Sequence, residues 1–163
     1  MVKMTPLLKG LITGALMITL SLLLIYTNQP GESPFQYIGY ALYAGGIVWT
    51  LIDYSRTPEY TGKFGDIFNQ GFRCFIVVAL MIVIFTAIYG WMHPEIAEEA
   101  AKLYKAELIK QGNKTPAEID TMVAAAKKQF FTSNIMLTIF GTLIMGAIFT
   151  LLGAVLLLLT RRK

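Results

Sequence analysis

Long apolar stretches alternate with shorter polar ones along the chain, and this pattern predicts helices that cross a membrane. Four tracts contain no charged residue, namely Gly10–Gly31, Ser33–Ile52, Cys74–Met92 and Gln129–Thr160. A helix of about 20 apolar residues crosses the roughly 30 Å of hydrocarbon in a bilayer. The sequence therefore predicts four spans, near residues 7–26, 35–52, 72–92 and 135–160. The short turn QPGESP between the first two predicts that they lie side by side and antiparallel.

The segment between the third and fourth predicted spans is polar, and it predicts a helical hairpin over about residues 94–133. Pro94 suits the first turn of a helix, and strong helix formers continue to Gly112 and Asn113. A capping box, Thr115-Pro116-Ala117-Glu118, then starts a second helix. We expect this second helix to run directly into the fourth span.

A stretch of aromatic and polar residues precedes the third span. Phe64, Phe68 and Phe72 recur at helical spacing on one face, and the other face carries Lys63, Asp66, Asn69, Gln70 and Arg73. The pattern predicts an interfacial helix over about residues 63–73, on the cytoplasmic side. As an alternative, the five polar residues contact a lipid headgroup or a partner protein. The three phenylalanines are candidate docking aromatics.

Small residues recur at a spacing of four within the predicted spans. Gly10 and Gly14 form a GxxxG pattern, and Gly45 and Gly146 belong to looser versions with Ala41 and Thr142. Such spacings let helix backbones approach closely in lipid. These glycines predict packing inside an all-α, integral membrane four-helix bundle, or contact with another subunit.

The distribution of charge predicts the orientation in the membrane. The chain is 55% hydrophobic and 15% charged, with a net charge of +4. Basic residues collect near the helix ends on the side of the termini, as Lys3, Lys9, Arg56, Lys63, Arg73, Arg161, Arg162 and Lys163. By the positive-inside rule, both termini are cytoplasmic and the hairpin is extracytoplasmic. Lys9, Asp53 and Arg73 lie at span ends, where we expect their side chains to snorkel to water.

The residues that usually carry chemistry are scarce. Cys74 is the only cysteine and His93 the only histidine, which disfavours disulfides, haem, a metal site and any other cofactor. No carboxylate lies at mid-depth in a span, which disfavours proton-coupled transport. Catalytic motifs and nucleic-acid-binding patterns are missing as well, so we expect neither an enzyme nor a nucleic-acid partner.

The stretch YTGKFGDIFNQGFRCFIVVALMIVIFTAIYGWMHPE, residues 60–95, resembles a family of bacterial membrane proteins, domain of unknown function family 4199. The resemblance rests on a block that contains Tyr60, Gly62 and Gly71 together with the three phenylalanines. It extends in layout over nearly the whole chain. It implies four spans in the inner membrane of Bacteroidetes and brings no known activity or catalytic residues. Genes of similar proteins lie beside polyprenyl-phosphate glycosyltransferases, which implies an accessory role in lipid-linked glycosyl transfer.

The sequence thus leads to two hypotheses about function. The first is a non-enzymatic accessory or assembly subunit of a membrane complex, whose partner is another integral membrane protein or a second copy of this chain. The second is the binding or transport of a lipid or small amphiphile. A dry bundle with an exposed face of small residues would favour the first hypothesis. A polar gap between the helices would favour the second, with membrane lipids as ligands.

Overall fold

The computed structural model describes residues 4–27 and 36–161, and the regular structure within these ranges is entirely helical. The helices are α1 (Pro6–Tyr26), α2 (Gln36–Ser55), α3 (Phe64–Met92), α4 (Glu95–Gln111) and α5 (Pro116–Arg161). The predicted turn QPGESP, the start of the second predicted span at residue 35, and the terminal residues Lys3, Arg162 and Lys163 lie outside the described ranges.

Local signals in the sequence explain where the helices begin and end. Thr5 accepts a hydrogen bond from the Leu8 amide at the start of α1 (3.3 Å), and Gly112 closes α4 with a φ of 66°. At α5 the predicted capping box is present: the Thr115 amide donates to Glu118 Oε2 (2.8 Å), and the Glu118 amide donates to Thr115 Oγ1 (3.4 Å). From there α5 continues without a break for 46 residues. Segment 63–73 likewise does not form a separate helix, because α3 is continuous from Phe64 onward.

Three of these helices are long and apolar enough to cross a membrane. They are α1, α3 and α5, whose most apolar windows have mean hydropathies of 2.0, 2.5 and 2.5. The helix at the second predicted span, α2, is not among them. Its tyrosines and glycines lower its mean hydropathy, although it holds many of the most deeply buried side chains.

The chain divides into two compact units. The first comprises the residues up to Ile82 and those from Phe140 onward, and the second is Val83–Ile139. In the first unit, residues from α2, α3 and α5 form one buried apolar cluster: Tyr43, Ile47, Leu51, Tyr54, Ile67, Phe75, Val78 and Ala154. Tyr43 places its hydroxyl inside this cluster, where it donates to the Thr142 carbonyl (3.0 Å). Within the described part of the chain, no buried side-chain polar atom lacks a hydrogen-bond partner.

Three of the four predicted packing glycines lie at close approaches between helices. A Cβ added at Gly10 would lie 2.7 Å from the Cys74 carbonyl oxygen, and one added at Gly146 would lie 2.7 Å from the Phe75 ring. Gly14 faces Met81 in the same way. The prediction of packing inside the bundle is wrong for Gly45, because nothing lies within 4 Å of an added Cβ there. Its neighbour Gly46 points inward and packs on Thr13 of α1 instead.

The second unit has a smaller interior. Ala101 and Leu108 of α4 and Ile119 of α5 are its buried hydrophobic residues. Two ion pairs join α4 to α5 on the surface, Lys105–Asp120 at 2.6 Å and Lys127–Glu98 at 2.8 Å. Exposed pairs of this kind contribute little to stability, so packing and helix caps hold this unit together.

Candidate functional site

The five polar residues predicted as a headgroup or partner contact do not converge on one point. Lys63 is exposed just before α3, and Asn69 and Arg73 are exposed in the first three turns of that helix. Asp66 accepts a hydrogen bond from the Thr61 hydroxyl, which fixes the loop that precedes the helix. Gln70 is half-buried and lines a small polar recess together with residues of α1 and α2.

The three predicted docking aromatics form a ladder on α3. Ring centroids are 6.0 Å apart for Phe64 and Phe68, and 6.3 Å apart for Phe68 and Phe72. The ladder ends inside the first unit, where Phe72 meets the buried Phe75 edge to face. Phe64 and Phe72 are 40% and 42% exposed, so the outer face of the ladder is open to lipid or a partner.

Lys9 lies in the recess beside Gln70, and its position contradicts the expectation that it snorkels to water. It is only 2% exposed. Its Nζ donates to Asp53 Oδ2 of α2 and lies 5.5 Å from the centre of the Trp49 ring. A buried ammonium needs a counter-charge, and Asp53 supplies it while remaining about half exposed itself. The pair therefore ties α1 to α2.

The recess around this pair has a volume of about 160 Å³. Its lining combines the ion pair with the side chains of Thr50, Tyr54, Glu59 and Gln70. Tyr54 donates to the Glu59 carbonyl (3.2 Å), and Thr50 donates to the Gly46 carbonyl (2.9 Å). These hydroxyl groups already have hydrogen-bond partners within the fold. The recess is therefore a structural feature, and it lies near the start of α1 and α3 and the end of α2.

The second unit contains a larger cavity of about 550 Å³ between α3, α4 and α5, which we call the hairpin cavity. Its walls are mostly aromatic and aliphatic side chains: Phe85, Tyr89, Trp91, Phe130, Phe131, Ile96 and Ala97. Thr86, His93, Glu98, Lys127 and Asn134 are the polar side chains of its lining. A largely apolar cavity of this size with a few polar groups is typical of sites for small molecules and cofactors.

The polar groups at the hairpin cavity are held in defined positions. Tyr89 and His93 stack at 4.3 Å between ring centroids, and His93 Nδ1 lies 2.6 Å from Glu95 Oε1. That hydrogen bond lowers the pKa of Glu95 below its ordinary value. The hydrogen bond from Lys127, together with its positive charge, lowers the pKa of Glu98 in the same way. The cavity therefore presents one fixed cation and one fixed anion side by side.

A comparison with protein families gives a match over nearly the whole chain. The model of a family described as protein of unknown function, DUF4199, matches residues 8–158. The chain belongs to this family. No curated protein and no solved structure matches it. The match confirms the family resemblance seen in residues 60–95, and three membrane-length helices are consistent with an integral membrane protein.

Two features of this DUF4199 member were not predicted: the burial of Lys9 and the hairpin cavity. The sequence contains a signal for the first and none for the second. Lys9 precedes the GxxxG pattern and lies four residues before Thr13, so it shares the helix face that packs on α2. That periodicity places Lys9 toward the interior. The hairpin cavity draws its lining from three helices, and no spacing within one helix indicates it. Within the described ranges, no group of three or more potential metal ligands comes together.

Proposed function

We propose that the protein is a four-span protein of the bacterial inner membrane and acts as a non-enzymatic accessory or assembly subunit of a membrane complex. The observation that carries the proposal is an exposed stripe on α2, formed by Ile38, Ala41, Gly45, Val48 and Ile52. Apolar side chains pack together in the core of the first unit, while this face, with its notch of small residues, is left uncovered. Small residues on an open face allow the close approach of a second membrane helix.

The contacts of α2 support its assignment as a fourth span. Thr13 of α1 packs on Gly46, Cys74 of α3 lies 3.8 Å from the Gly46 carbonyl oxygen, and Leu51 faces Gly153 of α5. A helix packed against three membrane-length helices can be less apolar than they are, because its polar groups are shielded from lipid. An even number of spans places both termini on one side, which the basic residues near the helix ends identify as the cytoplasm.

The topology is tested by labelling single cysteines in a Cys74→Ala background. Lys114→Cys, in the connection between α4 and α5, is expected to react with a membrane-impermeant thiol reagent from the periplasmic side. Lys63→Cys, just before α3, is the matched position and is expected to react from the cytoplasmic side only. Reaction of Lys114→Cys from the cytoplasmic side and of Lys63→Cys from the periplasmic side, or of both from one side, would overturn the four-span arrangement.

The subunit hypothesis is tested by purification in mild detergent at native expression, followed by mass spectrometry of the protein fraction. The expected result is a stoichiometric integral membrane partner, or a dimer of this chain. Gly45→Leu should remove that partner without disturbing the fold, because the glycine faces open space. Gly141→Leu on α5 is the matched control, since it also faces open space. A chain purified alone as a monomer, or equal loss with both variants, would contradict the proposal.

A second candidate function is the binding of a lipid or small amphiphile, and the hairpin cavity is the observation that favours it. The sequence placed the polar end of such a ligand at Asp66, Asn69, Gln70 and Arg73. The cavity provides a better enclosed position, with an apolar wall and paired charges in one place. Lipid analysis of the same purified sample tests this candidate, and an enriched amphiphile that Ala97→Phe displaces from the cavity would support it.

A further inference from the structure

The hairpin cavity has a chemical gradient along its length, and this gradient indicates what it holds. α3 and α5 meet at Gly90 and Phe131, where a Cβ added to the glycine would lie 3.1 Å from the ring. One end of the cavity carries the charged residues Glu98 and Lys127. The other end, toward Phe85, lies in the apolar part of α3. A ligand that matches both ends has a charged head and a hydrocarbon body.

The charged end is itself dipolar. Lys127 Nζ donates to Glu98 Oε1 (2.8 Å), yet both side chains remain about half exposed, at 49% and 57%. A lysine ammonium has three donors and a carboxylate has two oxygens, so each partner can bind a second group. An anionic head would be attracted by Lys127 and repelled by Glu98. A head that carries both charges satisfies both side chains.

The cavity also lies at the depth where a bilayer lipid presents its head. The apolar tract of α3 ends at Met92 and that of α5 begins beyond Asn134, so the lining residues of both helices straddle the edge of the hydrocarbon. Trp91, 81% exposed, is typical of that boundary. Asn134 lies two helical turns from Lys127, about 10 Å along the axis, and with Thr86 it offers neutral hydrogen-bonding groups below the charges.

We propose that the hairpin cavity binds one zwitterionic phospholipid, with its phosphate at Lys127, its ammonium at Glu98 and an acyl chain among the aromatic residues Phe85, Phe130 and Phe131. This inference rests on the second candidate function and names its ligand class. The hydroxyl of Thr86 and the amide of Asn134 face the ester region. The aromatic walls exclude water from the upper part of the chain, and the remainder of the lipid stays in the bilayer.

Native mass spectrometry of the full chain tests the proposal. The protein is delipidated in detergent and then offered equal amounts of phosphatidylethanolamine, phosphatidylcholine and phosphatidylglycerol. We expect one retained phosphatidylethanolamine per chain. Phosphatidylcholine is expected to bind more weakly, because its quaternary ammonium cannot donate a hydrogen bond to Glu98. The anionic phosphatidylglycerol should bind about tenfold more weakly, which corresponds to the loss of one charge-assisted contact.

Matched variants separate binding from folding. Lys127→Gln should weaken phosphatidylethanolamine retention about tenfold. Lys105→Gln breaks the other ion pair between α4 and α5 (2.6 Å) and lies outside the cavity lining, so it should leave retention unchanged. Ala97→Phe fills the cavity and should abolish retention. Circular dichroism must show wild-type helicity for each variant, and Thr86→Leu replaces Ala97→Phe if the latter loses helicity.

Four outcomes would overturn the proposal. Equal retention of phosphatidylglycerol would show that the paired charges do not select a zwitterion. Equal loss of lipid with Lys105→Gln and Lys127→Gln would show that the hairpin fold, and not the cavity, controls binding. In a parallel sample the protein is offered a fatty acid. If it retains the fatty acid but no phospholipid, the assignment of a zwitterionic ligand is wrong, while the second candidate function remains supported. If the folded protein retains no amphiphile at all, both fail.

Discussion

The two compact units differ in how deeply they bury the lysine of an ion pair. In the first unit Lys9 is buried and forms an ion pair with Asp53, beside a small recess of about 160 Å³. In the second unit Lys127 and Glu98 form a pair of the same chemistry, but both side chains are about half exposed beside a cavity of about 550 Å³. Burial makes the first pair part of the fold, because a lone charge there would be costly. Exposure leaves the second pair available to a ligand.

Removing one partner of the buried pair is expected to have the largest effect on stability. Asp53→Asn leaves the Lys9 ammonium buried without a counter-charge and should lower the free energy of unfolding by about 2–4 kcal/mol. Reversible unfolding in mixed micelles, followed by circular dichroism, measures the change. Lys105→Gln, at a surface pair of the second unit, should change it by at most about 1 kcal/mol.

A double variant serves as the control for that prediction. Lys9→Met with Asp53→Leu removes both charges and should restore most of the lost stability, because neither charge is then left unpaired. Equal losses for Asp53→Asn and Lys105→Gln would show that Lys9 is not buried as the structure describes.

The packing of the first unit predicts the next largest effect. Gly10→Ala places a methyl group 2.7 Å from the Cys74 carbonyl oxygen. The backbone there cannot move easily, so we expect a loss of about 1–3 kcal/mol in the same unfolding measurement. Gly45→Ala is the matched control, because its methyl group meets no atom within 4 Å. A loss as large for Gly45→Ala would contradict the assignment of Gly45 to an open face.

In the second unit, a helix cap makes a contribution that can be measured separately. Thr115→Ala removes the hydroxyl that accepts from the Glu118 amide, and should destabilise the start of α5 by about 1 kcal/mol. Hydrogen exchange of amides in the first turn of α5 measures this change. Thr121→Ala removes a hydroxyl that donates to the Ala117 carbonyl of its own helix, and it should leave exchange nearly unchanged. If both variants accelerate exchange equally, the capping box is not what holds the turn.

The smallest predicted effect is on the response to acid. The pKa values of Glu95 and Glu98 are lowered below the ordinary 4.5 by their partners His93 and Lys127. Depressed pKa values mean that these two contacts add stability above pH 4.5 and lose it as the pH falls through the lowered values. We therefore expect the hairpin to loosen slightly below about pH 4.5.

The two tryptophans allow this response to be followed in each unit, since Trp91 lies in the second and Trp49 in the first. Trp49→Phe leaves only the Trp91 fluorescence, which should change as the pH falls below about 4.5. Trp91→Phe leaves only Trp49, beside the buried Lys9, and reports on the first unit separately. Simultaneous changes in the two variants would contradict a separate response of the units.

Much of the helix layout could be predicted from the sequence, because local chemistry determines it. α4 ends at Gly112 because this glycine adopts a positive φ. α5 begins after Thr115 because Thr115 and Glu118 form two capping hydrogen bonds. Which face of a helix packs toward the interior was harder to predict. Gly45 and Gly46 are adjacent, and only the arrangement of the neighbouring helices decides which of them packs inward. The hairpin cavity depends on three helices at once, and no single-helix pattern encodes it.

The buried Lys9–Asp53 pair also has a consequence for how the chain is inserted during synthesis. α1 leaves the ribosome before α2, and until α2 follows, the ammonium of Lys9 lacks the Asp53 carboxylate as its partner. A lone lysine near a helix end turns toward the headgroups. α1 should therefore enter the bilayer in one rotation about its axis and adopt another when α2 arrives. The rotation of α1 about its axis should thus depend on the arrival of α2.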